Sequence, residues 1–188
     1  MPALADGTPT SLNVLIRRAR LTPEDTVLVR HADPKANDTR LFNGWRTSDP
    51  DFETYYRLQN PRTKPAFEDG RTVLQFIKVP PQFVAKQNAR TLFIGAWRCI
   101  GRPVPAGTDD VDPYRRENGA DYGYVRYPRD RFFMISEMDE FVGRLLIDWG
   151  PSERAWRQWA YRRDKTVVSM LDDPLGPFPR SQPPGEAA

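Results

Sequence analysis

The chain has 188 residues, 39% hydrophobic and 28% charged, with a net charge of +3, a pI near 9.1 and a mean hydropathy of −0.67. That is enough for one domain with a proper core and short for two, and no apolar run approaches the length of a membrane span. A single cysteine, Cys99, and a single histidine, His31, exclude an internal disulfide, a thiolate cluster and the His-pair metal motifs.

The lone cysteine, and the lack of a charged, apolar, small-residue order at the N-terminus, lead us to expect a cytoplasmic protein. Arginine supplies 23 of the 28 basic residues. Its planar fork pairs with phosphates and base edges, so the balance leans towards nucleic acid. An arginine-rich source genome would produce the same ratio.

Residues 1–10 read as a disordered lead-in. Ser11 is placed to cap a helix in which Leu12, Leu15, Ile16 and Ala19 face inward and Arg17, Arg18 and Arg20 outward. Residues 26–30 (TVLVR) predict a strand running into His31. Pro50 suits the first position of a helix whose Phe52, Tyr55, Tyr56 and Gln59 line one side. Residues 71–79 and 90–102 predict two strong strands, with Gly95 and Gly101 marking a bulge or a close backbone approach.

The segment 103–120 reads as a long loop with an acidic cluster, Asp109, Asp110 and Asp112. Strands are expected over 121–127, where Tyr122, Tyr124 and Arg126 share a face, and over 131–136. In an extended 144–149, Leu145, Ile147 and Trp149 share one face and Leu146 and Asp148 the other, so Trp149 reads as core. A helix over 152–161 would turn Trp156 and Trp159 inward and align Arg154, Arg157 and Tyr161 on another face. Residues 165–171 predict the last strand, and 172–188 a Pro-rich flexible tail. The expected fold class is α+β: N-terminal helices with a curved or barrel-like, mostly antiparallel sheet, in one domain over 11–171.

No phosphate loop, dinucleotide fingerprint or nucleophile elbow occurs, and no second histidine completes a triad. No catalytic residue, metal ligand set or cofactor is therefore assigned. The acidic residues Glu137, Asp139, Glu140 and Asp148 leave one alternative open, a metal-dependent nuclease holding magnesium.

What recurs is an aromatic residue beside an arginine: Trp45-Arg46, Tyr56-Arg57, Trp97-Arg98, Tyr124-Val125-Arg126-Tyr127, Trp156-Arg157 and Tyr161-Arg162. Holding a base outside its duplex takes an aromatic wall, a group for the base edge, and cations for the flanking phosphates. Asp148 beside Trp149 has the chemistry to accept from a cytosine amino group while an aromatic face stacks. Arg30 and His31 at a strand end, Trp97, Arg98, Tyr122, Tyr124, Arg126, Asp148, Trp149, Arg154, Arg157 and Tyr161 are the candidate nucleic-acid contacts. Core packing is the competing role for every aromatic among them.

The run TLFIGAWRCIG, a long loop, an aromatic strand, GRLLIDWGPSERAWRQWA and KTVV together resemble a bacterial domain found before GIY-YIG nuclease domains. The likeness covers residues 12–171. Neither a GIY nor a YIG tripeptide occurs, so the resemblance implies the targeting module without the cutter. By fold analogy the β-rich part is similar to the SRA/PUA barrels that read modified bases, and no pocket residue is carried over from them. The expected function is non-enzymatic binding of DNA, methylated DNA included, with 5-methylcytosine or another modified base as the narrowest target. The alternatives are the metal-dependent nuclease and an interaction module for a separately encoded nuclease. No membrane partner is expected, and the oligomeric state is not readable.

Overall fold

The computed structural model describes residues 10–31, 38–59, 67–85, 90–150, 159–161 (backbone only) and 164–176. Residues 1–9 of the expected 1–10 lead-in, the residues 151–158 that carry Arg154 and Arg157, and residues 177–188 of the expected 172–188 tail lie outside the described residues. Among the described residues no helix is long and apolar enough to cross a membrane.

The first helix, α1 (Leu12–Arg18), buries Leu12, Leu15 and Ile16 as their spacing dictates. Ser11 has the extended backbone of a cap but its side chain makes no capping bond. The free N–H groups of the first turn are met from the far end of the chain. Leu12 N–H donates to Lys165 O at 2.8 Å and Asn13 N–H to Asp164 Oδ1 at 2.9 Å.

Strand β1 (Thr26–His31) is buried along its whole length. It pairs in parallel with β3 (Thr72–Lys78), Thr26 opposite Thr72 through His31 opposite Ile77. A parallel pair needs a crossover. It contains α2 (Asp38–Arg46), α3 (Pro50–Arg57) and the two-residue β2 (Leu58–Gln59). Pro50 opens α3 as expected, and the Asp49 side chain accepts from Asp51 N–H. The second helix was not anticipated. Its apolar stripe is Leu41, Phe42 and Trp45, with Gly44 also buried.

Strand β4 (Thr91–Cys99) runs antiparallel to β3, with a register shift opposite Gln75 and Phe76 that confirms the expected bulge. Gly95 sits there at φ 144°, and a Cβ on it would lie 2.8 Å from the Trp97 ring and against the Met134 methyl. The two-residue β5 (Val104–Pro105) and β6 (Val125–Arg126) join β2 in a small antiparallel sheet. The strand expected over 121–127 thus shrinks to two residues, because Tyr122 and Gly123 turn back to bond Asn118 O and Ala120 O.

The other edge of β4 is shared. β7 (Phe132–Ile135) pairs with Ala96–Cys99, and β8 (Leu145–Asp148) with Thr91 and Leu92. Gly143 N–H donates to Phe93 O between them. β10 (Thr166–Met170) continues outward from β8, and β9 (Trp159–Tyr161) pairs antiparallel with β1.

The main sheet therefore reads β10-β8-β4-β3-β1-β9, mixed and open, with β10 and β9 at its edges. This corrects two expectations. The sheet is not a barrel, and residues 159–161 extend as a strand instead of closing a helix. β1 lies in the core and its outer N–H and C=O groups need partners, a demand that local helical spacing does not register.

Alternation along the strands separates two apolar clusters. Val27, Val29, Val73, Trp97 and Cys99 belong to one, with Phe67, Tyr127 and Phe132. Leu28, Leu74, Ala96 and Trp149 belong to the larger, with α1 and α2. The tail's first residues join the fold too: Leu175 packs on the larger cluster and its N–H donates to Gly143 O.

Candidate nucleic-acid interface

Because β8 and β3 are both antiparallel to β4, and β3 is parallel to β1, the carboxyl ends of β1, β3 and β8 point the same way. This brings Arg30, His31, Asp148 and Trp149 to one end of the sheet. Their surroundings differ.

Trp149 is buried, its ring 5.8 Å from Phe76, with the Arg30 guanidinium 5.2 Å and the Lys165 ammonium 4.6 Å from an indole centroid. Lys165 Nζ also donates to Trp149 O. Arg30 is itself buried. Asp148 spends one oxygen on Gly150 N–H at 2.8 Å, a strand-end turn.

His31 projects to the other side. Its Nε2 lies 2.5 Å from Gln75 Oε1, and its ring meets Phe52 and Tyr55 edge-on at 5.6 and 5.4 Å. Only 1% of His31 is exposed. Among the described residues, Arg30, His31 and Trp149 are thus buried at this end of the sheet and Asp148 is half-buried.

Trp97 is core as well, against Tyr56 at 5.4 Å and stacked on Phe132 at 6.3 Å. Burial pushes the Tyr56 hydroxyl pKa up, against the lowering pull of Arg57. Arg98 is half-buried and donates to Gly70 O at 3.4 Å. Arg154 and Arg157 lie outside the described residues, and for Tyr161 only the strand backbone is described.

The remaining candidates sit on the segment 103–127, which is a built lobe instead of a slack loop. Buried Asp112 accepts from Tyr114 N–H and Arg115 N–H at 2.9 and 3.0 Å. Asn118 Oδ1 accepts from Ala120 N–H at 2.9 Å, and its amide donates to Thr108 O at 2.5 Å. Gly119 N–H donates to Asp110 O, and Tyr124 N–H to Gly119 O, both at 2.7 Å.

Tyr114 pins the lobe to the helices, with its ring 5.3 Å from Tyr55 and the Arg40 guanidinium 4.9 Å above it. Gly44 leaves room for it. A Cβ there would collide with the Tyr114 hydroxyl, which is buried and has no hydrogen-bond partner among the described residues.

On this lobe Tyr124 is buried with Leu58 and Ala106, its hydroxyl donating to Glu117. Tyr122 is the opposite case, 46% exposed, with its ring 6.1 Å from that of Tyr124. The exposed Arg126 holds its Nε 3.2 Å from Asp110, whose Oδ2 also accepts from Gly107 N–H at 2.7 Å. Of the twelve sequence candidates, Tyr122 and Arg126 are the aromatic and the cation that the described structure leaves open to solvent. Asp110 was noted only as part of an acidic run. Its pairing across 16 residues leaves no signal in the sequence.

Among the described residues no three histidine, cysteine or carboxylate side chains group as metal ligands. Asp139 has its carboxyl pKa raised by burial and by neighbouring Glu137. Cys99 is buried, and that burial, with Asp69 adding to it, pushes the thiol up to about 11.

No family model, curated protein or solved structure matches the chain. The resemblance to the domain before GIY-YIG nucleases gains nothing from these comparisons, and function rests on the geometry above.

Proposed function

We propose that this chain is a non-enzymatic DNA-binding protein that engages a base unstacked from its duplex, and in the narrower form of the proposal a modified base such as 5-methylcytosine. The observation that carries the reading is Tyr122, an exposed ring on a lobe held by side-chain to backbone bonds and carrying an arginine, Arg126. A rigid scaffold presenting an aromatic face suits base stacking, which contributes about 1–3 kcal/mol per base. Arg126 supplies the phosphate contact. Its exposed pair with Asp110 is worth only about 0–1 kcal/mol, so a phosphate can recruit the guanidinium at small cost.

The test is a titration of matched fluorescent duplexes, with and without 5-methylcytosine, and of the single strand alone, at fixed salt. Binding that Tyr122→Ala weakens supports the base-engaging reading, and a preference for the modified duplex supports its narrower form. Equal binding of both duplexes, wholly suppressed by salt and indifferent to Tyr122, would leave phosphate attraction alone and reject base engagement. No binding to any of the three overturns the function itself.

A further inference from the structure

The charge arrangement on the lobe points to a second property of this site, one that rests on the DNA-binding reading. We infer that Asp110 is an internal competitor for the phosphate: its carboxylate occupies the guanidinium of Arg126 in the free protein and must release it on binding. Three observations support this.

The carboxylate presents both oxygens to Arg126 Nε, Oδ1 and Oδ2 each at 3.2 Å, as an anionic ligand would. The carboxylate is also fixed in place. Oδ2 accepts Gly107 N–H at 2.7 Å, Asp110 N–H donates to Gly107 O at 3.2 Å, and Asp110 O accepts Gly119 N–H at 2.7 Å. With its main chain held by two backbone bonds and its carboxylate by a third, Asp110 stays put when the guanidinium leaves. Finally, the arginine is the more open partner, with its side chain 47% exposed against 24% for the aspartate. A ligand can therefore approach Arg126 from the solvent side while Asp110 stays seated in its turn.

The chemistry sets the partner's class. The ligand replaces a monoanionic carboxylate on one guanidinium, so it offers a single phosphodiester oxygen pair. In a nucleic acid that is the phosphate flanking the base stacked on Tyr122. Neutralising Asp110 frees the guanidinium without dismantling the turn, because an asparagine amide oxygen accepts Gly107 N–H equally well.

Asp110→Asn is compared with Asp109→Asn, the same charge change at the exposed neighbouring residue. Both are titrated on a fluorescent single strand and a duplex over a salt series, beside the wild type and Arg126→Gln. Asp110→Asn should bind about two- to five-fold tighter than wild type at low salt, the worth of an exposed ion pair. Its duplex salt slope should stay near the wild-type value, because Arg126 meets the phosphate in both proteins, whereas Arg126→Gln should make the slope shallower by about 0.9, one phosphate contact. Asp109→Asn should move affinity less and leave the slope unchanged, and in the Arg126→Gln background Asp110→Asn should lose its effect.

Equal gains from the two aspartate variants, or a gain that persists without Arg126, would reduce the result to net charge and overturn the competitor role. Wild-type binding with no gain in Asp110→Asn overturns the inference and leaves the function standing. Absence of binding in every protein overturns the function, and this inference with it.

Discussion

Asp164 caps the first helix from the other end of the chain: its Oδ1 accepts Asn13 N–H at 2.9 Å across 151 residues of sequence. Ser11, the residue that local sequence marks as the cap, makes no such bond and instead bridges to Thr166 through its backbone. The cap bond therefore belongs to the closure of the fold, since it forms only once β10 lies beside α1.

This reverses the usual expectation for a serine cap. Ser11→Ala should leave the urea midpoint within experimental error, whereas Asp164→Ala should cost about 1 kcal/mol, the ordinary value of a capping side chain. Equal losses in the two variants would show that the serine hydroxyl works in the cap after all.

Gly44 and Tyr114 are coupled by space. Gly44→Ala adds helix propensity worth roughly 1 kcal/mol in an open helix. Here the new methyl meets the Tyr114 hydroxyl, so a net loss of about 1–3 kcal/mol is expected from overpacking. Tyr114→Phe alone removes a buried hydroxyl with no partner among the described residues and should be close to neutral. The next atom, Tyr114 Cζ, lies 3.4 Å from the Cβ position, so the double variant should recover most of the loss in a thermal melt.

Alkaline pH should destabilise the fold in a defined window. Burial pushes the Cys99 thiol from 9.0 up to about 11, and burial together with Asp49 and Asp51 pushes the Tyr114 hydroxyl from 10.0 up to about 12. Both groups hold their proton more tightly in the folded chain. The unfolded chain therefore ionises first, and stability that is full below pH 9 falls as pH rises through the folded values. Urea midpoints taken between about pH 8 and pH 11 should drop less steeply in a Cys99→Ala, Tyr114→Phe double variant than in the wild type. Parallel curves would mean that other groups govern the alkaline limb. The same burial should keep the Cys99 thiol unreactive towards a thiol reagent near neutral pH until the protein unfolds.

Tyr122 and Trp97 separate binding from folding. Tyr122→Ala should leave the thermal midpoint nearly unchanged, because the residue is 46% exposed, and should weaken single-strand binding by about 1–3 kcal/mol. Trp97→Ala empties a buried site against Tyr56 and Phe132 and should cost about 3–5 kcal/mol of stability. A Tyr122 variant that binds as wild type would remove the platform from the proposed function.

Several features followed from the sequence alone. Apolar spacing fixed α1, and two β-rich runs fixed β3 and β4 with a glycine at their bulge. Pro50 fixed the start of α3, and alternation placed Trp149 in the core. Each depends on near neighbours in the chain, and local sterics and periodicity carry that information.

Tertiary structure decided the rest. It paired β1 with β3 in parallel around a helical crossover, and it drew residues 159–161 out as a strand to satisfy the open edge of β1. It also sorted those candidate contacts whose side chains are described. Trp97, Tyr124, His31 and Trp149 went inside, and Tyr122 and Arg126 were left at the surface, the arginine facing Asp110. Aromatic and basic residues look alike in sequence whether they line a core or a binding face. Solvent exposure and through-space partners distinguish the two roles, and both arise only when distant segments pack together.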